Sequence, residues 1–184
     1  LRQLLLSFGD DSSIVLLNYR ESVERVNSYL VEQGFTTSCF HGGLEQCQRE
    51  DQLYHFSNGS ATVLVATDLA SRGLDIPNIQ NIIHYHLPES EQGYIHRVGR
   101  TARWDATGRT FFILSNQEHI PDFVEGDVVP YTTIPSQFTE APLPRMRTLY
   151  IGKGKKDKLS KGDIVGFLCK KGELTADEIG RIDV

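Results

Sequence analysis

Val63-Leu64-Val65-Ala66-Thr67-Asp68 decides the fold. A short unbroken apolar run closed by polar side chains reads as a strand buried on both faces, as parallel sheets use. The strand delivers Thr67 and Asp68 to a loop at its carboxyl end, the edge where open α/β sheets bind ligands. Ala70, Ser71 and Gly73 follow and let the backbone come close to a bound group. Asp75 is an acceptor-only carboxylate suited to paired ribose hydroxyls. The same residues also read as a plain strand and turn with Asp68 as a helix N-cap.

Similar signals spread outward from this stretch. Residues 12–19, 35–40, 79–84 and 110–114 read as further strands. Ser22 can cap a helix that carries Val23, Val26, Tyr29 and Leu30 on one stripe, with Gly34 ending it. Residues 44–56 read as a second helix closed by Asn58-Gly59. Strands alternating with helices predict an α/β fold with a mostly parallel sheet and helices on both faces. His41-Gly42-Gly43 also follows a predicted strand. From residue 120 the periodicity loosens, and five prolines punctuate 121–144, so 1–127 reads as one domain and 128–146 as a linker. Beyond it, 148–151 reads as a strand, 153–161 as a basic loop, 163–171 as a helix, and 175–184 as a turn and final strand.

The 184 residues are 39% hydrophobic and 23% charged, enough for one core. No run of 18 apolar residues suggests a membrane span. Cys39, Cys47 and Cys169 are widely spaced, which argues against a disulfide framework or a zinc site and suits a reducing cytoplasm. The chain starts at Leu1 rather than Met and reads as a piece of a longer one. The net charge of −5 hides an asymmetry: residues 1–144 carry 9 basic and 18 acidic side chains, residues 145–184 carry 10 and 6. The first stretch has no Lys at all. Arg offers a planar fork that grips phosphate, where Lys offers a point charge.

Tyr94-Ile95-His96-Arg97-Val98-Gly99-Arg100-Thr101-Ala102-Arg103 carries the chemistry. Arg100 and Arg103 are three apart, hence on one face of a helical turn, where two guanidinium groups suit a polyphosphate between them. By itself an Arg-rich helix is more often a solvated face.

Residues 63–77 and 94–103 together resemble motifs V and VI of superfamily 2 helicases, in the DEAD-box form. Gln46-Cys47-Gln48-Arg49 resembles that family's QxxR element, and Ile14-Val15-Leu16-Leu17-Asn18-Tyr19-Arg20 its motif IV. The resemblance covers about residues 1–120. It implies a RecA-like fold and ATP-dependent remodelling of RNA. Arg100 and Arg103 would be arginine fingers on the γ-phosphate, and Gly73 and Asp75 would serve the ATP ribose. His96 and Arg97 would couple to the other motor domain. Arg20, Gly43, Gln46, Arg49 and Thr67 would contact the RNA backbone. Tyr19 stands where the family often has Thr, and Ala102 where Gly is commoner. No Walker A motif and no Asp-Glu-Ala-Asp occurs. The phosphate cradle and the Mg2+ ligands are therefore expected on a preceding RecA-like domain in cis, and this chain alone is expected to be inactive.

Residues 147–166 and 177–182 are similar to the RNA-binding domain of DbpA-type helicases, an atypical RRM. That resemblance implies large-subunit ribosomal RNA as partner and a part in ribosome biogenesis. Five Lys within residues 153–161, among them Lys153, Lys155 and Lys156, suit phosphate contact, although charge alone fits a solvated loop as well. An RRM needs four strands. The two expected here would lack neighbours, so they would pack on the motor domain or exchange with a second copy to form a dimer. A nucleic-acid-binding module without ATPase coupling and a DNA translocase domain are the competing readings.

Overall fold

The computed structural model describes residues 1–68, 79–99, 108–131 and 140–184. The chain divides into two compact units, Leu1–Arg145 and Met146–Val184.

The first unit is built on five parallel strands: β1 Ser13–Leu17, β2 Thr37–Phe40, β3 Val63–Thr67, β4 Asn81–His84 and β5 Arg109–Phe112. Their spatial order is β2-β3-β1-β4-β5. Side chains alternate between faces along each strand. Val15, Leu17, Val63 and Val65 meet helices α1 (Arg2–Phe8) and α2 (Arg20–Glu32) in one core. Ile14, Leu16, Leu64 and Ala66 form a second core with Phe56 of α3 (Gln46–Ser57). The sheet is thus covered on both sides, which is why its strands are apolar throughout. α4 (Glu91–Val98) starts at Ser90, whose hydroxyl accepts from the Gly93 N–H at 3.1 Å.

β1 lies between β3 and β4, and the helices that follow β1 and β4 lead toward opposite edges of the sheet. This is a switch point, and the crevice at the carboxyl ends of β1 and β4 is its natural binding place.

Two local expectations need correction. α2 begins at Arg20 rather than after Ser22: extended Tyr19 makes a tight strand-to-helix turn, and its carbonyl accepts from the Val23 N–H at 3.1 Å. Tyr29 is exposed, so the buried stripe of α2 is Val23, Val26 and Leu30. Some residues of 128–146, the stretch read above as a linker, make contacts within the first unit. Tyr131 packs edge-on against Phe111 and near Phe8, Ala141 packs on the core, and Arg145 pairs with Asp10.

The second unit holds α5 (Lys161–Lys171) between two 3-10 turns, Lys155–Asp157 and Ala176–Glu178. α5 has a capping box, in which the Ser160 hydroxyl accepts from the Asp163 N–H at 3.2 Å and the Asp163 carboxylate accepts from the Ser160 N–H at 2.9 Å. The strands expected at 148–151 and near the end are absent from these residues. A strand needs a neighbour to take its N–H and C=O groups, and 146–184 supplies none.

Candidate functional site

The carboxyl ends of β1, β2 and β3 enclose a cavity of about 460 Å³ lined by Asn18, Tyr19, Arg20, Glu21, Gly42, Gly43 and Thr67. Of the five residues of 1–127 expected to meet RNA, three, namely Arg20, Gly43 and Thr67, therefore share one wall. Thr67 ends β3 directly beside Leu17, the last residue of β1. Arg20 sits in the first turn of α2, where main-chain N–H groups have no helical partner and the dipole favours an anion. The glycine turn is held by buried His41, whose Nδ1 accepts from the Gly43 N–H at 3.1 Å and whose Nε2 lies 3.4 Å from Glu24 of α2. A Cβ at Gly43 would come within 3.1 Å of His41 Nδ1, so a side chain there would push the clamp apart.

Gln46 and Arg49 lie outside this cavity lining, on the first turn of α3. The helix starts there because Glu45 and Gln48 form a capping box, the Gln48 side chain accepting from the Glu45 N–H at 3.0 Å. Gln46 is exposed and donates to Glu50 at 2.6 Å. Arg49 is half-buried, and its buried Nε meets no acceptor among the described residues.

Arg97 lies inside the domain, 2% exposed. A guanidinium has five N–H donors, and here all five have acceptors. Nε donates to Asp68 Oδ1 at 2.6 Å, and Nη2 to Asp68 Oδ2 at 2.7 Å and Asn18 Oδ1 at 2.8 Å. Nη1 donates to the His86 carbonyl at 2.7 Å and lies 3.1 Å from His84 Nδ1. Burial, and then the Arg97 charge, push the His84 pKa down to about 3. The ring is neutral, with Nδ1 free to accept, and it stacks on Phe112 at 4.5 Å. Burial also lowers the His86 pKa, with the Arg25 and Arg97 charges adding to the effect. Its neutral Nδ1 accepts from the Asn18 N–H at 3.1 Å. Arg97 thus joins the ends of β1, β3 and β4 in the switch-point crevice. His96 is exposed on the same helix.

Gly73, Asp75, Arg100 and Arg103 lie outside the described residues. The points from which their segments leave are described: Asp68 at the end of β3 and Gly99 at the end of α4. The Arg97–Asp68 pair ties one to the other.

In the second unit Lys153, Lys155 and Lys156 are all exposed. Lys155 lines a hollow of about 330 Å³ with Lys158, Leu159, Ser160, Lys161 and Val184. Lys153 instead donates to Asp157 at 3.0 Å.

Residues 1–105 match the helicase conserved C-terminal domain model. The chain belongs to that family, in its DEAD-box form. Residues 148–184 match the DbpA RNA binding domain. Among curated proteins, the whole chain aligns with the ATP-dependent RNA helicase DbpA of Escherichia coli at 36% identity, covering 42% of that protein. It aligns with DbpA of Bacillus subtilis at 30% identity, covering 44%. The chain therefore spans less than half the length of these relatives. Among solved structures, the E. coli DEAD-box protein SrmB bound to RraA matches with a TM-score of 0.63 at 30% identity, over 74% of this chain and 88% of that one. A DEAD box protein from Methanococcus jannaschii matches with a TM-score of 0.55 at 33% identity, over 58% and 30%. The parallel sheet with helices on both faces is accordingly the RecA-like fold of DEAD-box C-terminal domains.

Sequence reasoning missed Asn18, His84 and His86 as partners of Arg97. It read Asp68 as a loop residue or cap, whereas Asp68 is the carboxylate of a buried pair. The only sequence signal for the network is the pair of histidines in His84-Tyr85-His86 at the end of an apolar strand.

Proposed function

We propose that this chain is the second motor domain of an ATP-dependent RNA helicase joined to a ribosomal-RNA-targeting unit, acting in the cytoplasm in large-subunit assembly. Arg20, Gly43 and Thr67, with Gln46 and Arg49 on the neighbouring helix, hold the RNA sugar–phosphate backbone. Arg100 and Arg103 are the fingers that neutralise charge developing on the γ-phosphate of ATP. Gly73 and Asp75 serve the ribose. The phosphate cradle and the Mg2+ ligands belong to a preceding RecA-like domain. Lys153, Lys155 and Lys156 meet phosphates of the structured RNA target.

The observation that carries this reading is the Arg97–Asp68 pair. It fastens a residue of one motif segment, 63–77, to a residue of the other, 94–103, and Asn18 extends the bonding to the RNA-facing cavity. In this reading Arg97 is a positioning residue. It couples RNA contact to finger placement from inside the domain, while exposed His96 is the group able to touch the other domain.

The test joins the preceding domain to this chain and measures ATP turnover with and without single-stranded RNA. Residues 1–184 alone should hydrolyse ATP at background, and the joined protein should respond to RNA. Arg100→Ala should lower turnover by roughly 10³-fold or more while RNA affinity holds. ATP hydrolysis by residues 1–184 alone would overturn the proposal. Equal stimulation by DNA would point to a translocase domain instead.

A further inference from the structure

We infer that Tyr19 is a sequence-tolerant stacking platform for a base of single-stranded RNA, a binding residue of the cavity at the carboxyl ends of β1, β2 and β3. The inference rests on the RNA reading of that cavity. Tyr19 is 62% exposed and lines the cavity beside Arg20, Gly43 and Thr67. An exposed tyrosine alone is ordinary surface. This one is held. Its ring meets the His86 ring edge-on, with centroids 5.9 Å apart at 60°. His86 is itself fixed from two sides: its Nδ1 accepts from the Asn18 N–H at 3.1 Å and its carbonyl from Arg97 at 2.7 Å. The ring of Tyr19 therefore has a built support in His86 and is exposed over most of its remaining surface.

The other lining groups suit a backbone. Arg20 and the first turn of α2 suit phosphate, the glycines allow close approach, and Thr67 offers a hydroxyl. None of them offers an apolar plane to a base. Tyr19 does, and base–aromatic stacking tolerates any sequence because every base has a π-face. A phosphate on Arg20 would leave its base free to turn onto the neighbouring ring. The cavity then reads both parts of a nucleotide, charge with Arg20 and base with Tyr19.

The test uses the whole chain carrying Lys153→Gln, Lys155→Gln and Lys156→Gln, so that the basic loop of the second unit does not mask the cavity. It is titrated with a decamer of riboadenylate and with the same decamer lacking bases at its central positions. With Tyr19 present, the decamer with bases should bind about five- to 150-fold more tightly, the range expected of one stacked base. Tyr19→Phe should keep that ratio. Tyr19→Ala and Tyr19→Thr should bring the two decamers to equal affinity, and the exposed position leaves the fold intact, as circular dichroism would confirm. A Tyr19→Ala loss that is equal for both decamers, or no loss at all, overturns the inference. Arg20→Ala separates the two levels of failure. It should weaken both decamers and lower the log–log salt slope by about one. If Arg20→Ala acts and Tyr19→Ala does not, stacking is wrong. If neither acts, the RNA reading of the cavity is wrong.

Discussion

Removing Arg97 should cost more stability than any other single surface-to-core change in the first unit, because nothing else can meet its acceptors. Arg97→Met keeps the apolar stem and deletes five donor contacts: two to Asp68 and one each to Asn18, the His86 carbonyl and His84. The Arg97 side chain is almost fully enclosed, while that of Asp68 keeps 25% exposure. Breaking a buried ion pair from one side costs about 3–5 kcal/mol, against a total of about 5–15 kcal/mol for a domain. With a urea slope near 2 kcal/mol per M, the midpoint should fall by about 1.5–2.5 M. Arg97→Lys should recover only part of this, because one ammonium with three donors cannot span Asp68 and the His86 carbonyl together. Urea denaturation of Arg97→Met, Asp68→Asn and the double variant closes a cycle, with a coupling energy expected at about 2 kcal/mol or more. A midpoint shift under about 0.3 M for Arg97→Met, or a coupling under about 0.5 kcal/mol, would refute the account of this network.

Two further predictions follow from neighbouring groups. His84 has a folded pKa of about 3 against an ordinary 6.5. The unfolded chain takes up a proton that the native state refuses, so stability is complete above pH 6.5 and falls as the pH drops toward 3, by about 4–5 kcal/mol in all. His84→Gln keeps an acceptor without titrating, and denaturation midpoints measured from pH 4 to 7 should show a flatter slope; an unchanged slope would clear His84 of the effect. Arg49→Ala should weaken RNA binding and reduce its log–log salt slope by about one, and unchanged affinity and slope in a filter-binding series would remove Arg49 from the RNA surface.

The sheet was legible because its strands are apolar on both faces and are separated by capped helices. β3 and its neighbours appear within two residues of where the pattern places them. α1 was not legible. Leu4, Leu5, Leu6 and Phe8 are all buried, and seven residues are too few for a helical period to stand out in the sequence. The start of α2 was misplaced because Ser22 has the right chemistry for a cap, while the helix in fact starts after extended Tyr19, whose carbonyl accepts from the Val23 N–H without any side-chain cap. The strand at 148–151 failed for a different reason. Its apolar pattern is real, but Tyr150 stands 87% exposed without a neighbouring strand. Pattern fixes which face is apolar, and pairing fixes whether a strand exists. The cavity wall was legible because each contributor follows a strand. The Arg97 network was not, since its bonds join residues 79, 29, 13 and 11 apart in sequence.

The absence of Lys from residues 1–144 now divides into two causes. A phosphate surface explains only some of those arginines. Arg97 uses all three of its nitrogens inside the domain. Arg109 uses Nε for Asn81 and Nη2 for Asp11, while its guanidinium lies 5.2 Å from the Phe8 ring centroid. Both positions need a planar fork that reaches two acceptors at once, and a lysine could satisfy neither. A composition that reads as phosphate-binding is therefore partly architectural. Arg20 beside the cavity and half-buried Arg49 are the described arginines proposed to meet RNA. A series of Arg→Lys exchanges would sort the two causes. At Arg97 and Arg109 the loss should appear in the denaturation midpoint, and at Arg20 and Arg49 in RNA affinity with the midpoint unmoved.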